Sequence, residues 1–93
     1  MNFIQFFNEL AIIVDPNLRG RKLPTNEHES LCDTDVDSLN RVMISVYLCD
    51  FYGINEEVGK TMPLTTVATV QTFLEANKTK EPASFEEALG EVR

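Results

Sequence analysis

The chain has 93 residues, 43% apolar and 25% charged, with a formal net charge of -7 at pH 7. Those values fit one small domain with enough apolar mass for a core, and they argue against global disorder. They also argue against nucleic acid as a partner, because phosphate recognition needs clustered Lys and Arg; basic protein surfaces are the expected partners.

The first element is read from "NFIQFFNELAIIV". Asn2 is placed to cap it, and Phe3, Phe6, Phe7, Leu10, Ile13 and Val14 recur at steps of three and four residues, the spacing of one helix face. Asp15-Pro16 stops it, because a residue before proline is pushed out of the helical region. Residues 15 to 37 then read as a long polar connection, with Leu18, Leu23 and Leu31 as scattered apolar anchors. Its basic cluster, Arg19, Arg21 and Lys22, reads as a solvated loop beside Gly20 and Pro24.

A second helix is expected from about Ser38 to Tyr52, capped by Asp37 or Ser38 and ended by Gly53. Its apolar residues, Leu39, Val42, Met43, Ile44, Val46, Tyr47, Leu48 and Phe51, run around most of its circumference. Either it is the central core helix or part of that surface faces a partner or ligand. "INEEVGK" predicts a short helical turn. "LTTVATVQTFLEAN" predicts a further helix, capped by Thr65 or Thr66, with Val67, Val70, Phe73 and Leu74 on one face. After the polar stretch Lys78 to Pro82, the residues Ser84-Phe85-Glu86-Glu87 form a capping-box pattern for a short C-terminal helix. With four glutamates and few apolar contacts, residues 80 to 93 read as an acidic extension to the helical domain at 1 to 79, open to either weak docking or fraying.

Three features test catalytic and metal chemistry. Asp33, Asp35 and Asp37 stand at positions one, three and five of a calcium-loop pattern, but the sixth position is Ser38 rather than glycine and the twelfth is Ile44 rather than glutamate. Cys32 and Cys49 lack metal-type spacing, and Cys49 reads as a small buried hydrophobe. His28 is the only histidine and has no nucleophile arrangement around it, so no enzyme is expected. Neither a signal peptide nor a membrane-length apolar run is evident, and a monomer in a reducing cytoplasm, without membrane insertion, is the expectation.

Two motifs carry a resemblance: "DSL" at 37 to 39, opening one apolar helix, and "LTTV" at 64 to 67, opening another. With 26 positions from Ser38 to Leu64, the chain is similar to the acyl carrier protein family, aligning without a gap. The similarity covers about Leu31 to Asn77, is looser over the first helix and is absent beyond Lys80. It implies an all-α, four-helix bundle of three main helices and one short one, with the C-terminal helix as an addition. It further implies that Ser38, flanked by Asp37 and Leu39, receives 4'-phosphopantetheine from coenzyme A through a separate phosphopantetheinyl transferase. The chain would then carry acyl groups as thioesters and present them to loading and processing enzymes with basic docking surfaces. By matching position, the docking residues would be Leu39, Val42 and Val46, with Asp50, Glu56 and Glu57 supplying charge, and Ile44, Leu48, Val67 and Phe73 would line an acyl pocket.

The chain departs from the family pattern in three places. Asp35 stands where a glycine is usual. The serine-bearing helix offers Asn40, Arg41, Met43 and Cys49 at exposed or commonly acidic positions, leaving Asp50 as its only acid; and the acidic tail is extra. A thinned acidic face alters which basic partners dock productively, so a specialised, free-standing carrier for a dedicated fatty-acid, polyketide or related pathway is expected. Asp35 and Asp37 are expected to contribute to recognising basic enzymes. The other reading is an unmodified acidic helical interaction module, which needs no arm on Ser38.

Overall fold

The computed structural model describes all residues, 1–93, and contains five α-helices and no strand: α1 (Phe3–Val14), α2 (Ser38–Phe51), α3 (Glu56–Gly59), α4 (Val67–Asn77) and α5 (Phe85–Val92). They form a small all-helical bundle, and none is long and apolar enough to cross a membrane.

α1 begins where Asn2 and Gln5 satisfy each other's backbone, each side chain accepting the other's N–H at 2.9 Å. Its buried side is Phe3, Phe6, Phe7, Leu10 and Ala11. α1 packs against α2, α4 and α5. α1, rather than α2, is therefore the hub of the core.

The connection from 15 to 37 is more ordered than its polarity predicts. Two 3₁₀ turns, Pro16–Leu18 and Leu31–Asp33, interrupt it, and Leu18, Pro24, Leu31 and Val36 are buried. Asn8 Nδ2 donates to the Pro24 carbonyl at 3.0 Å, and the Leu31 N–H donates to the Thr65 carbonyl at 2.8 Å. These contacts hold the segment across α1 and the start of α4, which satisfies backbone groups that a free loop would leave to water.

The apolar circumference of α2 divides by depth. Ile44, Leu48, Cys49 and Phe51 face the core, while Leu39, Val42, Met43 and Val46 remain exposed. α2 ends with Gly53 at φ 63°, where the Ile54 N–H reaches the Cys49 carbonyl at 2.9 Å and the Gly53 N–H reaches that of Asp50 at 3.4 Å. This pairing is the Schellman arrangement, which favours glycine at the left-handed position.

α4 starts at Thr66, whose hydroxyl accepts the Thr69 N–H at 3.1 Å while Thr69 Oγ1 accepts the Thr66 N–H at 3.1 Å. Val67, Val70 and Leu74 are buried and Phe73 is half-buried. α5 is seated on α1 rather than frayed: Ala88 and Leu89 are buried, and the Phe85 ring stacks on Phe6 at a centroid distance of 4.5 Å. Ser84 caps it by accepting the Glu87 N–H at 3.0 Å, one half of the capping box that the sequence pattern predicts. Aromatic pairs of this kind contribute about 0.5 to 1.5 kcal/mol beyond area burial.

Candidate functional site: the N-terminus and outer face of α2

The N-terminus of α2 is capped by Asp37, whose Oδ1 accepts the Asn40 N–H at 2.8 Å. Ser38 therefore occupies the first helical position. Its side chain is exposed and makes no hydrogen bond within the chain. The N–H groups of Ser38 and Leu39 also lack intrachain partners, as the first turn of a helix requires. The result is a free hydroxyl at the positive end of a helix dipole, where an attached anion gains roughly 0.3 to 1 kcal/mol.

The preceding aspartates do not converge on a common point, and no group of three His, Cys, Asp or Glu residues is arranged to hold a metal. Asp35 serves the loop: its Oδ2 accepts the Lys22 N–H and its own N–H donates to the Lys22 carbonyl, both at 2.8 Å. The carboxylates assigned from sequence to partner recognition thus have local structural bonds, Asp35 to the loop and Asp37 to the cap.

The two sequence motifs meet through Arg41. Its Nε donates to the Asp37 carbonyl at 3.2 Å and its Nη1 to the Leu64 carbonyl at 3.4 Å. Arg41 Nη1 also lies 3.7 Å from the Sγ of exposed Cys32. Sequence reading placed Arg41 among outward positions and missed this bridge. The available signal was a lone guanidinium in the first turn of a mostly apolar helix, a group with five donors and no acceptor that needs oxygens from elsewhere in the chain. Asn40, expected on the outside, is buried instead and donates Nδ2 to Asp15 Oδ2 at 3.2 Å. Cys49 is also inward, and burial pushes its thiol up from the ordinary value, which disfavours the reactive thiolate.

Leu39, Val42, Met43 and Val46 are 68, 51, 41 and 64% exposed. Their i, i+3, i+4, i+7 spacing makes one continuous apolar stripe, and exposed Asp50 continues it by one turn. Glu56 and Glu57 are exposed on α3, which packs against α2. The sequence-assigned docking residues Leu39, Val42, Val46, Asp50, Glu56 and Glu57 are thus all accessible. Of the pocket-lining candidates, Ile44, Leu48 and Val67 are fully packed and Phe73 lies partly open at the edge of the core. A surface hollow of about 360 Å³ lies elsewhere, beside the α4–α5 connection at Tyr52, Pro82 and Phe85.

Compared with known proteins, the chain matches no family model, and neither the curated proteins nor the solved structures yield a match.

Proposed function

We propose that this chain is a non-catalytic acyl carrier in which Ser38 bears a 4'-phosphopantetheine arm. The observation that carries the reading is the division of labour at α2: Asp37 caps the helix, and the Ser38 hydroxyl is left exposed beside an apolar stripe. A capping serine would have its oxygen occupied by a backbone N–H. The residues fit an attached phosphodiester, because open N–H groups and the helix dipole favour an anion there.

When bound, the arm supplies the thiol that forms the thioester. The chain's own residues orient the attachment point and recognise partners: a phosphopantetheinyl transferase and enzymes that load and process the acyl group. Leu39, Val42 and Val46 provide apolar contact, and Asp50, Glu56 and Glu57 attract basic groups at one end of the face. Ile44, Leu48, Val67 and Phe73 would line an acyl group only where the core opens between helices.

Intact mass of the purified protein, before and after incubation with coenzyme A and a broad-specificity transferase, tests this reading. One added phosphopantetheine on the wild type and none on Ser38→Ala supports it. No addition, with both a transferase proven on another carrier and the host's own enzyme, leaves the unmodified interaction module.

A further inference from the structure

The hollow beside the α4–α5 connection is assembled from three parts of the fold. Tyr52 comes from the end of α2, Glu75 from α4, and Glu81, Pro82, Phe85 and Glu86 from the connection and the start of α5. Connection and α2 are fixed to each other, because the Thr79 and Lys80 N–H groups both donate to the Tyr52 carbonyl, at 2.9 and 3.3 Å. At about 360 Å³ the hollow falls within the roughly 300 to 1,000 Å³ of small-molecule sites. It lies at the far end of α2 from Ser38, about 20 Å along the helix, and residues 81 to 86 are outside the part of the chain that resembles carriers. The carrier reading therefore gives it no role.

Tyr52 is only 5% exposed, yet its hydroxyl makes no hydrogen bond within the chain. The side-chain polar atom that is fully enclosed without a partner is Asn8 Oδ1, so the Tyr52 hydroxyl opens into the hollow that its residue lines. A buried tyrosine normally finds a partner for that group. Burial pushes this phenol up, and Glu75 and Glu81 push it the same way while Lys78 opposes them. Both carboxylates thus stand on the hydroxyl's side of the hollow.

The polar atoms around the hydroxyl are mostly acceptors. Lys78 Nζ donates to Glu75 Oε2 at 2.8 Å and to Glu81 Oε1, and the Met1 amine lies 3.9 Å from Glu86 Oε1. The second oxygen of each carboxylate has no partner in the chain. Three carboxylates against two ammonium groups leave negative charge in excess. Lys80 lies on the other side of the connection, among Asp50, Glu87 and Glu91. The N-terminus of α5 borders the hollow and by itself favours an anion, but Glu86 and Glu87 in its first turn offset the dipole. A group made only of donors suits such a site. Guanidinium is planar, carries five N–H donors and no acceptor, forks onto carboxylate oxygens and lies against aromatic rings.

We propose that this hollow binds a guanidinium group on a short apolar stem, with its N–H groups shared between the Tyr52 hydroxyl and the free carboxylate oxygens and its stem against Pro82 and Phe85.

Butylguanidinium, butylammonium and butyrate, each titrated into the ¹⁵N-labelled chain at constant ionic strength, test the proposal through the amides of Tyr52 and of the residues from Glu81 to Glu87. Butylguanidinium is expected to bind with a dissociation constant on the order of 1 mM, butylammonium more weakly, and butyrate not at all. Tyr52→Phe keeps the buried ring and removes only the unpartnered hydroxyl, and is expected to weaken butylguanidinium binding about fivefold. Glu86→Gln, at an exposed position, is expected to weaken it about twofold. Equal binding of the two cations, shifts spread over Glu56, Glu57 and other exposed acids instead of gathered here, or no response to Tyr52→Phe overturns the proposal. N-acetyl-arginine N-methylamide separates the sources of the group. Affinity equal to that of butylguanidinium supports an arginine of a partner chain, and weaker affinity supports a free guanidine compound. None of these readouts involves Ser38, so the loss of the carrier reading would leave them intact.

Discussion

Asp37 Oδ1 accepts the Asn40 N–H at 2.8 Å, so α2 is capped by the residue before Ser38 and not by Ser38 itself. The two neighbours should therefore respond differently to truncation. Asp37→Ala is expected to cost about 1 kcal/mol, lowering the thermal midpoint by roughly 4 to 8 °C. Ser38→Ala is expected to stay within about 0.5 kcal/mol of the wild type. Urea unfolding of both variants checks this. A larger loss for Ser38→Ala would mean that its hydroxyl has a structural role.

The split of α2 into a core side and an open side predicts a similar contrast. Ile44→Ala empties a buried site and is expected to cost about 2 to 5 kcal/mol. Val46→Ala removes an exposed side chain and is expected to change stability by less than about 0.5 kcal/mol. Its effect should fall on partner affinity instead. Calorimetry of the isolated variants, with partner titration, separates the two readouts.

Phe85 stacks on Phe6 and lies edge-on to Phe3, at centroid distances of 4.5 and 6.1 Å. Phe85→Ala is expected to cost about 2 kcal/mol, less than the 3 to 5 of a fully enclosed ring because Phe85 is half-buried. Removal of residues 80 to 93 should lower the thermal midpoint further, since it uncovers Phe3 and Phe6. An unchanged midpoint would show that α5 contributes nothing to the core.

Gly53 has φ 63°, and a Cβ there would collide with Thr79 Oγ1, which donates to the Gly53 carbonyl at 2.6 Å. Gly53→Ala is expected to destabilise by about 1 to 3 kcal/mol through left-handed strain and displacement of the α4–α5 connection. Denaturant midpoints compared with those of Gly20→Ala, also left-handed but in open space, isolate the cost of the collision.

The Glu29 carboxyl is held below its ordinary value, first by the Thr25 backbone N–H and also by Lys22. A carboxylate whose folded value is depressed adds stability that is present above its unfolded value near 4.5 and is lost as the pH falls through the lower, folded value. Glu29 is half-buried, but its partners Thr25 and Lys22 are exposed at the surface, so the effect is small and screened by salt. Glu29→Gln is therefore expected to lower stability slightly in the neutral region and to converge on the wild type at low pH, which flattens the acid limb of the stability-pH curve. A variant curve parallel to the wild type below pH 4.5 would refute the assignment.

Local chemistry made much of this molecule legible from sequence. Asn2, Thr66 and Ser84 cap helices through oxygens that accept N–H groups within three residues, Pro16 closes the first helix, and Gly53 closes the second. Signals of this kind act over one helical turn and need no distant partner. The exposed serine and its apolar neighbours were legible too, as a motif.

Distant packing decided the rest. An apolar pattern around most of α2 cannot say which side is buried; contact with α1 selects Ile44 and Leu48 and leaves Leu39, Val42, Met43 and Val46 outside. Periodicity could not place Val36 in the core, turn Asn40 inward to Asp15, or route Arg41 to the Leu64 carbonyl, because each depends on a segment brought from elsewhere in the chain. The seating of α5 follows the same logic. Its own apolar residues are few, but Phe3 and Phe6 supply the matching surface, and apolar burial stabilises only when both faces leave water together.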